Sequence, residues 1–418
     1  MAAYQIIGGE PLVGSIHIQG SKNAALPVIT ASLLHRGTTV FYGCPNITDV
    51  RYMIRILRSL GCKVEWDEDR LSINASDIEI KGLDGECISK MRSSILLIGA
   101  LLGRCQEFTL EYPGGCSIGA RPIDMHLNAF MKMGVSVDEK NESICCSCLK
   151  LKGERIVLTY PSVGATENIM MAAVNADGTT WIYNAAMEPE IVELACFLKK
   201  MGADIHGEGT SCICIRGGST LKDSKYGIMS DRIVAGTYLL AAAGTCGCVN
   251  IQGVNDIHLR PVLHICESMG CDIRVRGESI CLKAPSRLKA VADIHTRPYP
   301  GVPTDLQSLL MAVLTKAQGA TCIYEHVFED RFRTAEELKK MGADIYIRDH
   351  CAYIRGVDKL TGASVRAMDL RGGAALIVAG LMAEGKTVVE NAFYVERGYQ
   401  DICRDFCSLG AAIEIINN

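Results

Sequence analysis

The residues best suited to do chemistry lie in Tyr112-Pro-Gly-Gly-Cys-Ser-Ile-Gly-Ala-Arg-Pro-Ile-Asp124. Pro113, Gly114, Gly115 and Gly119 oppose regular structure, so Cys116 is expected on a flexible stretch at the ligand end of its structural unit. Arg121, five residues on, would favour the thiolate of Cys116 and lower its pKa. A hydrolytic nucleophile wants a histidine base beside it. The only close histidine, His126, falls on the helix expected next, where a structural role suits it as well. Acid or covalent-adduct chemistry on a small anionic substrate therefore fits this loop better than proteolysis.

The elements that must carry this loop are repeated. A helical stretch ending in Leu-Gly or Met-Gly and followed by a short alternating strand recurs six times, at Gly61, Gly134, Gly202, Gly270, Gly342 and Gly410, with spacings of 73, 68, 68, 72 and 68 residues. A glycine after the last helical turn is the residue that takes the left-handed cap. Each copy also contains an earlier helix rich in Ala, Leu, Ile and Met: 22–34, 92–102, 165–176, 231–243, 305–314 and 369–382. Near-uniform apolarity predicts helices packed on most sides inside a domain. The chain thus reads as α/β, six βαβ-type units of about 70 residues with right-handed crossovers, three per domain.

Two positions of the repeat carry charge. At the start of the first helices stand Lys22, Arg92, Thr166, Arg232, Asp305 and Arg371, several preceded by the N-cap residues Ser21, Ser230, Thr304 and Asp369. The second position, 10 to 13 residues before each repeat glycine, holds Arg51, Arg121, Glu190, Arg260, Arg331 and Arg397. Helix N-termini offer free amides and positive partial charge. Any one arginine here has an ordinary ion-pair explanation, but the set predicts a concentrated anion site.

Composition excludes several classes. A formal charge of −4 over 418 residues, with 48% hydrophobic and 22% charged residues, is globular and argues against nucleic-acid binding, which needs surplus Lys and Arg. Apolar stretches such as 95–102 are far too short to span a membrane, and no export leader precedes Gln5-Ile6-Ile7. A cytoplasmic location is expected, so the twenty cysteines are expected to be reduced thiols. Cys145, Cys146 and Cys148 have no second pair or histidine cluster near them, and no metal site or cofactor is expected.

With Gly20-Ser-Lys-Asn-Ala-Ala-Leu-Pro27, the cysteine loop makes the chain resemble the UDP-N-acetylglucosamine 1-carboxyvinyltransferase branch of the enolpyruvyl transferase family. The match runs end to end through Met91-Arg-Ser-Ser-Ile95, Ser162-Val-Gly-Ala-Thr166, Glu188-Pro-Glu190, Asp231-Arg-Ile233, Pro303-Thr-Asp305, Phe328-Glu-Asp-Arg-Phe332, Asp369-Leu-Arg371 and Glu396-Arg-Gly-Tyr399. Leu96 and Tyr394 depart from the common pattern. The resemblance implies a two-domain inside-out α/β barrel: domain I from 21–229, carrying the Cys116 loop, domain II from 1–20 and 230–418, and the active site in the cleft between them.

It also implies roles. Cys116, Asp305 and Lys22 look catalytic, Cys116 as acid toward the vinyl methylene and Asp305 as base for the sugar 3-hydroxyl. Lys22, Asn23, Arg121, Arg331, Arg371 and Arg397 look like the phosphoenolpyruvate clamp, supported by Arg92. Asn23, Arg92, Arg121, Pro122, Ile123, Asp124, Met125, Ser162, Val163, Gly164, Asp305 and Val327 look like contacts to UDP-N-acetylglucosamine. An intact Cys116 further implies alkylation by the epoxide fosfomycin. The implied partners are these two small molecules, with no nucleic acid and no membrane; the oligomeric state stays open. Rival readings are a 5-enolpyruvylshikimate-3-phosphate synthase, which lacks this cysteine loop, and a non-catalytic UDP-sugar-binding paralogue.

Overall fold

The computed structural model describes residues 2–80, 83–114, 118–119, 122–140 and 142–417. The chain forms two compact units. Unit 1 takes its described residues from 1–19, 116–120 and 230–418, and unit 2 from 20–115 and 121–229.

Each unit is built from three copies of one motif. In the copy around Gly61, strand Thr38–Tyr42 leads into helix Thr48–Ser59, then strands Lys63–Asp67 and Arg70–Asn74. The last strand lies between the other two and runs antiparallel to both. The first and second strands are therefore parallel but separated, so the expected βαβ unit is a split one with a hairpin strand inserted.

Five sheets gain a fourth strand, a parallel edge. In unit 1, Val13–His17 pairs with Cys248–Gln252, Asp293–His295 with Ala320–Tyr324, and Ser364–Arg366 with Lys386–Glu390. In unit 2, Ser224–Gly227 pairs with Thr39–Tyr42, and Arg155–Val157 with Trp181–Tyr183. The sixth sheet, around strands Glu107–Glu111, Ser136–Lys140 and Ser143–Ser147, has three strands among the described residues.

The first helix of each copy is interior. Every residue of Arg232–Gly244 and of Leu370–Met382 is buried, and in unit 1 these two helices and Gln307–Leu314 pack on one another. The second helices are amphipathic: Thr48–Ser59 buries Val50, Met53, Ile54, Ile56 and Leu57 while Arg51, Arg55 and Arg58 face solvent. All six repeat glycines take the left-handed conformation, with φ of +89°, +94°, +116°, +99°, +91° and +92° in chain order, where a Cβ is strained.

Two expected caps shift. Asp231, not Ser230, caps its helix, accepting from the Ile233 and Val234 amides at 2.8 and 3.0 Å. Thr304 opens a 3₁₀ turn, and its hydroxyl goes to Glu325. Ser21 and Asp369 cap as expected.

Candidate functional site

In unit 2 the predicted residues sit at helix starts. Ser21 caps Lys22–Ala31, accepting from the Ala24 amide at 3.3 Å, which fixes Lys22 and Asn23 in the first turn. The Lys22 ammonium lies 2.8 Å from the carboxylate of Asp49, 2% exposed in the first turn of Thr48–Ser59. Arg92 opens the 3₁₀ turn Arg92–Ile95, continued by helix Leu96–Leu102, whose Leu96 is buried. Ser162 caps Val163–Val174 through the Ala165 amide at 3.3 Å, placing Val163 and Gly164 in the opening turn. Ile123 is buried and precedes helix Asp124–Lys132; Pro122 and Asp124 are exposed and Met125 half-buried.

Cys116 and Arg121 lie outside the described residues. Ile118 and Gly119 belong to unit 1, where the Ile118 carbonyl accepts from the Asp330 amide at 3.3 Å. A Cβ on Gly119, at φ +146°, would meet the Glu329 carboxylate at 2.3 Å. Every cysteine among the described residues is a free thiol, and burial pushes Cys44 and Cys146 up to about 12.

Unit 2 also buries acid beside its nucleotide-site candidates. Glu167, one turn past Ser162–Gly164, is 5% exposed. Burial first, then the nearby Glu190 and Glu188, hold its carboxyl well above the usual carboxylate range. A raised folded-state pKa contributes stability fully present below the unfolded value near 4.5 and lost as pH rises through the folded value. Glu167→Gln, which cannot ionise, is therefore expected to resist urea better than the parent at pH 9, with the gap closing toward pH 4. Equal midpoints at pH 9 would contradict it.

In unit 1 the cations converge on one carboxylate. Arg331 Nη2 donates to Asp305 Oδ1 at 2.5 Å, and Arg371 donates through Nε and Nη2 to Asp305 Oδ2 at 3.1 and 2.9 Å. The two arginine side chains are 3% and 4% exposed, the Asp305 side chain 25%. Asp369 caps Leu370–Met382 through the Arg371 and Gly372 amides and stands 3.8 Å from Arg331 Nη1. Burial opposes the Arg371 charge, but Asp305, Tyr399 and Asp231 together outweigh it and raise its pKa further. Arg371 Nη1 is buried and makes no hydrogen bond of ordinary geometry among the described residues, with the Tyr399 hydroxyl beside the guanidinium.

Glu325 frames this cluster. Its carboxylate accepts from the Val327 and Phe328 amides at 2.7 and 3.1 Å and from the Thr304 hydroxyl at 2.9 Å, while Arg331 Nε donates to that hydroxyl at 3.3 Å. Arg397 ends the 3₁₀ turn Ala392–Arg397, half-buried. Gln19 pins the next turn through the Gly398 carbonyl and the Gln400 amide.

Not every cation of the two repeat positions joins. Arg51 is exposed and donates to Asn46 at 2.8 Å, and Arg260 pairs with Asp256 at 2.6 Å on the surface. Sequence reasoning missed Asp49 as the partner of Lys22, and Glu325 altogether. A charged residue directly after the strand Ala320–Tyr324 was the available signal for Glu325.

A family model described as EPSP synthase (3-phosphoshikimate 1-carboxyvinyltransferase) matches residues 6–406. UDP-N-acetylglucosamine 1-carboxyvinyltransferase 2 of Caldanaerobacter subterraneus subsp. tengcongensis is 46% identical over 413 residues, covering 99% of each chain. The UDP-N-acetylglucosamine 1-carboxyvinyltransferase of Halothermothrix orenii matches to the same extent, 46% over 413 residues and 99% of each chain. The chain belongs to the UDP-N-acetylglucosamine 1-carboxyvinyltransferases, within the enolpyruvyl transferase family. The fold agrees: the enolpyruvyl transferase NikO from Streptomyces tendae superposes with a TM-score of 0.90 at 23% identity over 99% of both chains. EPSP synthase from Acinetobacter baumannii gives 0.74 at 20% identity over the whole of both. These six split βαβ copies, three to a unit, are thus the enolpyruvyl transferase fold, and no helix among the described residues is long and apolar enough to cross a membrane.

Proposed function

We propose that this protein transfers the enolpyruvyl group of phosphoenolpyruvate to the 3-hydroxyl of UDP-N-acetylglucosamine, releasing phosphate, in the cytoplasm as the first committed step of peptidoglycan synthesis. The observation that carries this reading is 46% identity across 99% of both chains to enzymes named for that transfer. The chemistry is addition followed by elimination. Asp305 takes the proton of the 3-hydroxyl as its oxygen bonds to C2 of phosphoenolpyruvate, and Cys116 protonates C3. From the resulting tetrahedral ketal a methyl proton is removed, the C2–O bond to phosphate breaks, and the vinyl double bond is restored.

Lys22, Asn23, Arg121, Arg331, Arg371 and Arg397 grip the phosphate and carboxylate of the donor. Asn23, Arg92, Arg121, Pro122 to Met125, Ser162 to Gly164, Asp305 and Val327 hold the nucleotide sugar. The presence of Asp305 between two buried guanidinium groups supports this assignment: they orient the base and supply fixed positive charge where phosphate negative charge develops. Several cations are required because the donor carries two anionic groups and UDP a diphosphate, and bidentate arginine suits both.

The test is phosphate release from phosphoenolpyruvate with each of two acceptors. Turnover with UDP-N-acetylglucosamine and none with shikimate 3-phosphate is the expected result. Turnover with shikimate 3-phosphate alone would overturn the assignment, and binding of the UDP-sugar without phosphate release would favour a non-catalytic role.

A further inference from the structure

Asn168 sits in the middle of the buried helix Val163–Val174, 0% exposed, with every polar hydrogen position of its amide occupied. Its Oδ1 accepts from the Gly99 amide at 2.7 Å, and its Nδ2 donates to the Ile95 carbonyl at 2.9 Å. Ile95 and Gly99 are four residues apart, the two ends of what would be one helical hydrogen bond. Asn168 thus inserts its amide into the ladder at the junction where the 3₁₀ turn Arg92–Ile95 becomes helix Leu96–Leu102. Insertion of a side chain at that point is a recognised cause of a helix break. The approach is close enough to require glycine: a Cβ on Gly99 would lie 2.2 Å from the Asn168 carbonyl and 2.4 Å from Oδ1.

The second Nδ2 proton decides the state of His126. Oδ1 faces an N–H and Nδ2 faces a carbonyl, so the amide orientation is fixed by its neighbours. Nδ2 also lies 3.0 Å from His126 Nδ1, and as a donor it makes Nδ1 the acceptor. A neutral imidazole then carries its proton on Nε2. That edge of the ring faces the opening turn after Ser162: a Cβ on Gly164 would lie 3.4 Å from Cε1 and 3.6 Å from Nε2. Burial, with Arg92 adding to it, lowers His126 to about 3, so the ring stays uncharged at neutral pH.

We propose that Asn168 is a positioning residue for acceptor binding: it breaks the helix behind Arg92 and holds His126 with its Nε2–H turned toward the Ser162–Gly164 turn as a donor to an oxygen of the nucleotide sugar. This rests on the proposed function, because the turn's ligand is taken from that reading. Nothing in the apolar periodicity distinguishes Asn168, which follows Glu167 and precedes the run Ile-Met-Met-Ala-Ala-Val. The two-sided insertion and the directed imidazole give it a task that packing alone would not.

The experiment compares wild type with Asn168→Ala, His126→Phe and His126→Gln in steady-state phosphate release, varying each substrate in turn. Thermal midpoints establish that each variant is folded at the assay temperature. Loss of one hydrogen bond to a charged or strongly polar ligand is expected to raise KM for UDP-N-acetylglucosamine about 10- to 100-fold in Asn168→Ala and His126→Phe. KM for phosphoenolpyruvate and kcat should stay within about threefold. His126→Gln, whose amide nitrogen reaches the position of Nε2, should recover most of the lost affinity.

Long-range ¹H–¹⁵N spectra should show a single Nε2-protonated, non-titrating imidazole in wild type and a mixed or titrating one in Asn168→Ala. Both KM values rising together, kcat falling with KM unchanged, or no kinetic change in either variant would overturn the proposal. If wild type itself fails to turn over UDP-N-acetylglucosamine, the proposed function falls instead. The NMR tautomer then still reports on the Asn168–His126 couple, and a titrating wild-type ring would overturn that as well.

Discussion

Asp305→Asn is expected to lower kcat for phosphate release by about 10² to 10⁴, the worth of a positioned general base, while phosphoenolpyruvate binds at least as well as before. The two halves of this expectation come from the same geometry. Asp305 is the shared acceptor of Arg331 and Arg371; in the proposed reaction its charge would both attract a proton from the acceptor hydroxyl and mask two cations from the donor. Asparagine keeps an oxygen for one guanidinium but cannot take a proton. The unmasked positive charge would then favour the donor, with its carboxylate and its phosphate. Initial-rate kinetics with phosphoenolpyruvate varied would show a collapsed kcat and an unchanged or lowered KM. A kcat within tenfold of wild type would remove Asp305 from the base role and leave it a structural counter-ion.

The repeat was legible because its signals are local. A Leu-Gly or Met-Gly stop, an apolar inner helix and a charged outer one each depend on residues within a few turns, and all six glycines take the left-handed turn that the pattern demands. The inserted hairpin strand was not legible. Whether a strand such as Arg70–Asn74 lies at an edge or between two others depends on pairing over some thirty residues, which alternation alone does not encode.

The site divides in the same way. Asp305, Arg331 and Arg371 were found as recurring positions, and unit 1 brings them together. Arg51 and Arg260 occupy the same repeat position and end in surface contacts, because repeat phase fixes the height of a residue in its unit but not its partners. Asp49, Glu325 and Asn168 carry no periodic signal. Each was identified only through a partner distant in sequence: Lys22, Arg331 by way of Thr304, and the Ile95–Gly99 gap.

Arg371→Met is expected to cost about 3 to 5 kcal/mol of unit 1 stability, the usual result of removing one partner from a buried ion pair. The side chain is 4% exposed and holds Asp305 through two donors. Its loss removes one of the two buried guanidinium groups that hold Asp305 and leaves that of Arg331 between Asp305 and the nearly buried Asp369. Asp305 retains some solvent at 25% exposure, which places the expected cost toward the lower end. The decisive comparison is the double variant Arg371→Met with Asp305→Asn. If the loss comes from uncompensated charge, neutralising the acid recovers part of it, and the two changes are non-additive by about 1 to 3 kcal/mol in urea unfolding. Strict additivity would mean that Arg371 stabilises unit 1 through the packing of its alkyl stem against the inner helices, with the carboxylate making no net contribution.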